Sequence, residues 1–228
     1  MTMPNDKAIS VLTVVFANEL SQREIPYFRG AVLSKVPREL DVFHNHSGDT
    51  LKYRYPLIQY KRINNHAAIV CIGEGTQAIG NFFAACDFHL QIGNRSETLV
   101  VDNMKADRAI IQTWENSFVY TIRKWLPLNQ TNFEAYQTLN GLVDQVEFLQ
   151  RILVGNILSM CSSMNIRIDK QIKCDILKIM GVTNIEYKNV FMQSMDVEFA
   201  TNVYMPDFIG LGKGVSQGFG MIKQLRKQ

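Results

Sequence analysis

Between residues 8 and 92 the chain alternates strand-like and helix-like runs in an order that few folds accommodate. Residues 8–17 (AISVLTVVFA) are rich in β-branched side chains and apolar on both faces, as a central strand would be. Residues 25–33 follow as a short helix with Pro26 in its first turn. After a polar stretch at 44–49, the aromatic content of 51–61 predicts a strand, and Pro56 pushes that strand to a sheet edge or a bulge. Asn64-Asn65 reads as a turn into a strand at 67–72, residues 74–86 (EGTQAIGNFFAAC) read as a second helix, and 88–92 (FHLQI) as a fourth strand. The order β-α-β-β-α-β predicts a ferredoxin-like unit.

From about residue 97 the pattern begins again. Strands are predicted at 98–101 and 117–123, then a helical region from Phe133 to Met164 with Leu139, Leu142, Val143, Val146, Leu149, Leu153 and Ile157 at helical spacing. Further strands are expected near 172–180 and 190–204. In the latter, Phe191, Met195, Val197, Phe199 and Val203 alternate with Ser194, Asp196, Glu198 and Asn202, which predicts one buried and one wet face. A glycine-rich stretch at 210–220 stands where a second helix would. The expected class is α+β, with tandem ferredoxin-like (RNA-recognition-motif-like) domains over 1–95 and 96–228, each an antiparallel sheet with helices on one face.

The net charge of +3 admits a polyanionic partner without demanding one, so the placement of charge decides. The first twenty residues carry acids around a short apolar run and lack a small-residue cleavage site, and no apolar run approaches the ~20 residues of a membrane span. A cytoplasmic protein is expected. Cys71, Cys86, Cys161 and Cys174 are widely spaced among apolar neighbours, with no C-x-x-C pair, and read as buried free thiols.

The glycines at 210, 212, 214, 218 and 220 fit neither nucleotide fingerprint. Lys213 has no glycine at the P-loop offset and is followed by Gly214, and Gly210-x-Gly212 meets Val215 where a dinucleotide motif needs glycine. A backbone able to bring its N–H groups close to phosphates remains, with Lys213 adding charge. On that reading Gly212→Val with Gly218→Val weakens RNA binding and leaves the fold intact.

His44 and His46 flank one asparagine in a polar loop of a chain with four histidines. Cutting RNA needs a base for the ribose 2′-OH, an acid for the leaving 5′ oxygen and a cation for the developing charge. The two histidines with Lys52 or Tyr27 supply these parts. A two-histidine metal site is the alternative, but no carboxylate or cysteine spacing completes a coordination sphere. Residues 51–73 contain no acid and interleave Lys52, Tyr53, Arg54, Tyr55, Tyr60, Lys61 and Arg62, the cations and rings of a single-stranded RNA surface. A strand whose tyrosines fill the core is the other reading of that segment. His66 and His89, at strand starts, read as structural.

Phe28-Arg29-Gly30, the His44-Asn45-His46 loop, the run from Tyr53 to Lys61 and the terminal glycines together resemble the CRISPR repeat-processing endoribonucleases of the repeat-associated mysterious protein superfamily. That family ends in glycine-hydrophobic-glycine, five residues and again glycine-hydrophobic-glycine. Gly210-Leu211-Gly212 and Gly218-Phe219-Gly220 match it. The resemblance implies metal-independent, cofactor-free cutting of CRISPR repeat RNA that leaves a 2′,3′-cyclic phosphate and a 5′-hydroxyl. It places the active histidine after the first helix, where His44 and His46 fall, with Tyr27 and Lys52 as further catalytic candidates. Arg29, Arg54, Lys61, Arg62, Lys213 and the five loop glycines are the expected RNA contacts. The expected partners are repeat RNA and other CRISPR effector subunits, with no membrane, for a monomer or homodimer. A non-catalytic repeat-RNA-binding subunit of a CRISPR complex and a metal-dependent phosphodiesterase are the competing readings.

Overall fold

The computed structural model describes residues 8–36, 55–85 and 87–226, which form two compact α+β units. The N-terminal unit comprises Ala8–Ala109 together with Ser216–Gly218. Its elements are β1 (Ile9–Glu19), a 3₁₀ turn (Gln22–Glu24), α1 (Ile25–Leu33), β2 (Ile58–Ile63), β3 (His66–Ile72), α2 (Gly75–Ala85), β4 (His89–Ile92), β5 (Arg95–Thr98) and β6 (Val101–Ala109). Pro26 sits in the first turn of α1, where its missing N–H has no helical partner to lose. Asn64 and Asn65 take φ of 48° and 72°, the left-handed pair that closes the tight β2–β3 hairpin.

The main sheet runs β2-β3-β1-β6, antiparallel throughout. Pro56 precedes β2, which lies at the sheet's edge, as the sequence predicts. The fourth strand is not the expected 88–92. That segment gives the four-residue β4, which pairs only with β5 in a separate hairpin, while β6 lies along β1 from Ile9↔Ala109 to Phe16↔Val101. Backbone bonding alone holds β6 there, for it is exposed from Val101 to Arg108 and shows no buried face. The chain therefore leaves the first unit after Ala109, later than the 95/96 division read from sequence. β3 is buried on both faces from Ala67 to Ile72, and so is β2 from Ile58 to Lys61, whereas β1 is only partly so.

α1 buries Ile25, Phe28, Ala31 and Val32, and α2 buries Ala78, Ile79 and Phe82. Phe28 meets Phe16 and Tyr60 edge to face, with ring centroids 6.1 and 5.8 Å apart. Such pairs add about 0.5–1.5 kcal/mol each beyond the area they bury.

The C-terminal unit comprises Ile110–Val215 and the chain from Phe219. Its elements are β7 (Thr113–Trp125), α3 (Gln130–Gln137), α4 (Leu142–Ser163), β8 (Cys174–Tyr187), β9 (Val190–Val203) and β10 (Met221–Gln224). The sheet order β10-β7-β9-β8 repeats that of the first unit, last strand beside first and third between first and second. The expected single helical region is two helices. Gly141, at φ 99°, precedes α4, and the Asn129 side chain caps α3 by accepting the Asn132 N–H at 2.8 Å. Leu149, Leu153, Ile157, Met160 and Cys161 carry the core face of α4, but Leu142 and Val143 are exposed and do not join it. Phe191 is also misplaced by the alternation and is 81% exposed. Register shifts against both β7 and β8 put Met192 and Ser194, then Met195 and Val197, on the inside, so alternation does not carry through to Phe191. Cys71, Cys161 and Cys174 are buried free thiols; Cys86 lies outside the described residues.

Candidate nucleic-acid interface

The terminal glycines are bound up with protein atoms. Leu211 N–H donates to the Gly220 carbonyl at 2.9 Å, and Ile209, Leu211 and Val215 are buried. A Cβ on Gly212, at φ +86°, would lie 2.9 Å from Asn156 Oδ1 and 3.0 Å from Trp125 Nε1, two atoms already hydrogen-bonded to each other. A Cβ on Gly218, at φ +83°, would lie 2.6 Å from Ile25 Cδ1. Backbone and packing both demand glycine at these positions. Valine at 212 and 218 would meet both a left-handed backbone and these neighbours, so a stability cost is expected where the sequence reading expected an intact fold. Lys213 remains exposed, its ammonium 5.7 Å from the Tyr187 ring, which also meets Phe219 edge-on at 5.3 Å and Lys188 at 5.8 Å. Sequence reading did not single out Tyr187 and Lys188, which stand at the tight turn Lys188-Asn189, φ 52° and 62°.

In the N-terminal unit α1 presents two different faces. Tyr27 is 59% exposed and lies over Gly93. With Glu24, Ile92, Gly93, Asn94 and Arg95 it lines an open pocket of about 380 Å³. The Ser21 backbone N–H and then Arg95 hold the Glu24 carboxyl below its usual range. Arg95 also bonds Glu97 and, at 2.9 Å, the Glu19 carbonyl, so the polar groups around the pocket are largely committed to one another.

Arg29 is two residues from Tyr27, which on a helix of 3.6 residues per turn sets the two on opposed faces. The structure therefore does not bring these two candidates together. Arg29 and Ile25 are one turn apart, and Ile25 is the side chain that meets Gly218. On β2 the Tyr60 N–H donates to the Ser216 carbonyl at 3.3 Å, and Tyr60 bridges Gln217 in parallel. Tyr60 is 1% exposed, its ring packed in the core as the non-binding reading of the segment held. Its hydroxyl is buried with no hydrogen-bond partner among the described residues, and so is the Nε of half-buried Arg29. Each such group costs about 1–3 kcal/mol. Burial raises the Tyr60 phenol well above its ordinary range, and the Arg29 charge offsets part of that.

Two other expected RNA contacts are placed differently. Lys61 is wholly buried, so it is not placed to meet a surface ligand, and burial draws its ammonium down to about 7. Arg62 spends its Nε on the Leu20 carbonyl at 2.7 Å. His44, His46, Lys52 and Arg54 lie outside the described residues. His66 Nδ1 donates to the Asn64 carbonyl, and His89 contacts Thr98 and Ser96 across its hairpin, which are structural roles. Among the described residues no three His, Cys, Asp or Glu side chains gather as a metal site, and no helix is long and apolar enough to cross a membrane.

Two antiparallel sheets of identical strand order, with a glycine loop in place of the second unit's second helix, define a tandem ferredoxin-like protein. The chain belongs to the Cas6b family: the Cas6b N-terminal domain matches residues 7–110 and the Cas6b C-terminal domain matches residues 112–225. A crystal structure of Cas6b is 28% identical and superposes with a TM-score of 0.87, over 96% of this chain and 100% of that one. A second, that of the CRISPR RNA processing endoribonuclease Cas6b, is 26% identical with a TM-score of 0.74 and the same coverage. An uncharacterized protein of Methanocaldococcus jannaschii is 33% identical over 109 residues, 47% of this chain and 73% of that protein.

Proposed function

We propose that this chain cuts CRISPR repeat RNA to guide RNAs by attack of a ribose 2′-hydroxyl, without a metal. The observation that carries the reading is the match of both units to Cas6b, together with the solved CRISPR RNA processing endoribonuclease that spans nearly the whole chain. One of His44 and His46 takes the 2′-OH proton as the oxygen attacks the adjacent phosphorus. The other gives a proton to the departing 5′ oxygen, and Lys52 steadies the charge of the phosphorane. The P–O5′ bond breaks as the P–O2′ bond forms, leaving a 2′,3′-cyclic phosphate and a 5′-hydroxyl. Tyr27 is the next candidate for proton transfer, while Arg29, Arg54, Arg62 and Lys213 hold the backbone.

The test is single-turnover cleavage of a labelled repeat RNA with and without a 2′-deoxy substitution just upstream of the mapped cut, in EDTA. Cutting of the ribose form in EDTA and none of the deoxy form is expected. Binding without cutting would favour the non-catalytic reading, and cutting that needs a divalent ion would favour the metal-dependent one.

A further inference from the structure

We infer that the Tyr60 hydroxyl and the Arg29 Nε together hold a phosphate oxygen of the bound RNA, which makes Tyr60 a further RNA-positioning residue. The inference rests on the RNA-cutting reading above and adds a side chain that acts through its hydroxyl and not through its ring.

Two observations meet at one place. Tyr60 and Arg29 each bury a polar atom that finds no partner among the described residues, and both side chains belong to the α1–β2 side of the N-terminal unit. On that same side Ser216–Gly218 joins this unit: Tyr60 N–H holds the Ser216 carbonyl, and Gly218 lies against Ile25 one turn before Arg29. A phenylalanine at 60 would keep the edge-to-face contact with Phe28 without an orphaned hydroxyl, so packing alone does not account for tyrosine.

The chemistry of the two groups specifies what is missing. The guanidinium Nε–H can only donate. Burial keeps the phenol protonated, so it too has a proton to give. What satisfies both is an acceptor, and beside a guanidinium an anionic oxygen makes the stronger bonds. Residues 51–73 contain no acid, and Glu24 is engaged by Ser21 and Arg95. A phosphodiester brings two such oxygens, and half-buried Arg29 gives the anion its approach from solvent.

The experiment uses the full chain and a labelled repeat RNA made uncleavable by a 2′-deoxy substitution at the mapped cut. Affinity and thermal midpoint are measured for the wild type, Tyr60→Phe, Arg29→Gln and the double variant. Tyr60→Phe is expected to melt no lower than the wild type yet to bind roughly tenfold more weakly. Arg29→Gln should also weaken binding and reduce the salt slope by about 0.7, as the loss of one phosphate contact requires. The double variant should fall short of the product of the single losses, because both groups serve one oxygen. Tyr60→Phe that binds like the wild type overturns the assignment, as does a loss of affinity matched by a lowered thermal midpoint. Wild-type protein that does not bind repeat RNA overturns instead the reading on which the assignment rests.

Discussion

Lys61 shows how one residue escapes a reading made from pattern and charge. Strand alternation puts it on the face opposite Tyr60, and a lysine among arginines and tyrosines reads as a phosphate contact, yet both side chains are buried. Period two tells which residues share a face and says nothing about whether each face is covered. The burial has a measurable consequence. In the folded chain the ammonium titrates near 7, below the ordinary 10.5, so between those values the unfolded chain holds a proton the folded chain has lost. Stability from this residue therefore rises with pH across that window, by about 1.4 kcal/mol per pH unit at most. Urea denaturation at pH 7 and pH 9 should show that rise in the wild type and a flatter dependence in Lys61→Met; equal dependences would refute it. His44 and His46 are singled out in the sequence by their rarity and spacing. If they act as the acid and base proposed above, His44→Ala and His46→Ala each slow single-turnover cleavage by about 10²–10⁴-fold with little change in RNA affinity. An unaffected rate in one variant would reduce that histidine to a positioning role and turn attention to Tyr27.

At the level of elements, the sequence made visible those that bury a face and concealed those that do not. α1, β3 and α2 announced themselves through apolar spacing and turn residues, but β6 (VDNMKADRA) has no alternation to find because only its hydrogen bonds to β1 hold it in the sheet. The same limit explains why 88–92, with Leu90 and Ile92 buried, drew the assignment of fourth strand. Glycines divide along similar lines. In α4 a methyl group on Gly155 would meet nothing within 4 Å, and the residue sits in a helix interior where glycine costs about 0.5–1 kcal/mol against alanine. Gly218 faces Ile25 with a left-handed backbone. Gly155→Ala should therefore raise stability by about 0.5–1 kcal/mol. Gly218→Val should lower it by about 2 kcal/mol or more, the cost of left-handed strain together with overpacking. Thermal melts of the two variants decide the matter, and a well-folded Gly218→Val at wild-type stability would restore the reading of an open, phosphate-facing loop.

Over the whole molecule, a repeated strand order was legible because each unit spells out its first strand, helix and hairpin in sequence, while the contribution of Ser216–Gly218 to the first unit was not, since a pairing across such a separation leaves no local pattern. Net charge was uninformative for a related reason. A value of +3 counts every cation equally, although Lys61 is sealed in the core. Removing it from the expected RNA contacts leaves Arg29, Arg54, Arg62 and Lys213 as the cations proposed to meet phosphates. For single-stranded RNA the affinity falls with the logarithm of salt by about 0.7 for each phosphate neutralised, so these four predict a slope of roughly 3, where all five would give roughly 3.5. Titrating the uncleavable repeat RNA across a range of potassium chloride concentrations measures it directly. Lys61→Met should leave the slope where it stands, Lys213→Gln should lower it by about 0.7, and a slope that drops equally in both would show that the lysine buried in this fold reaches the RNA after all.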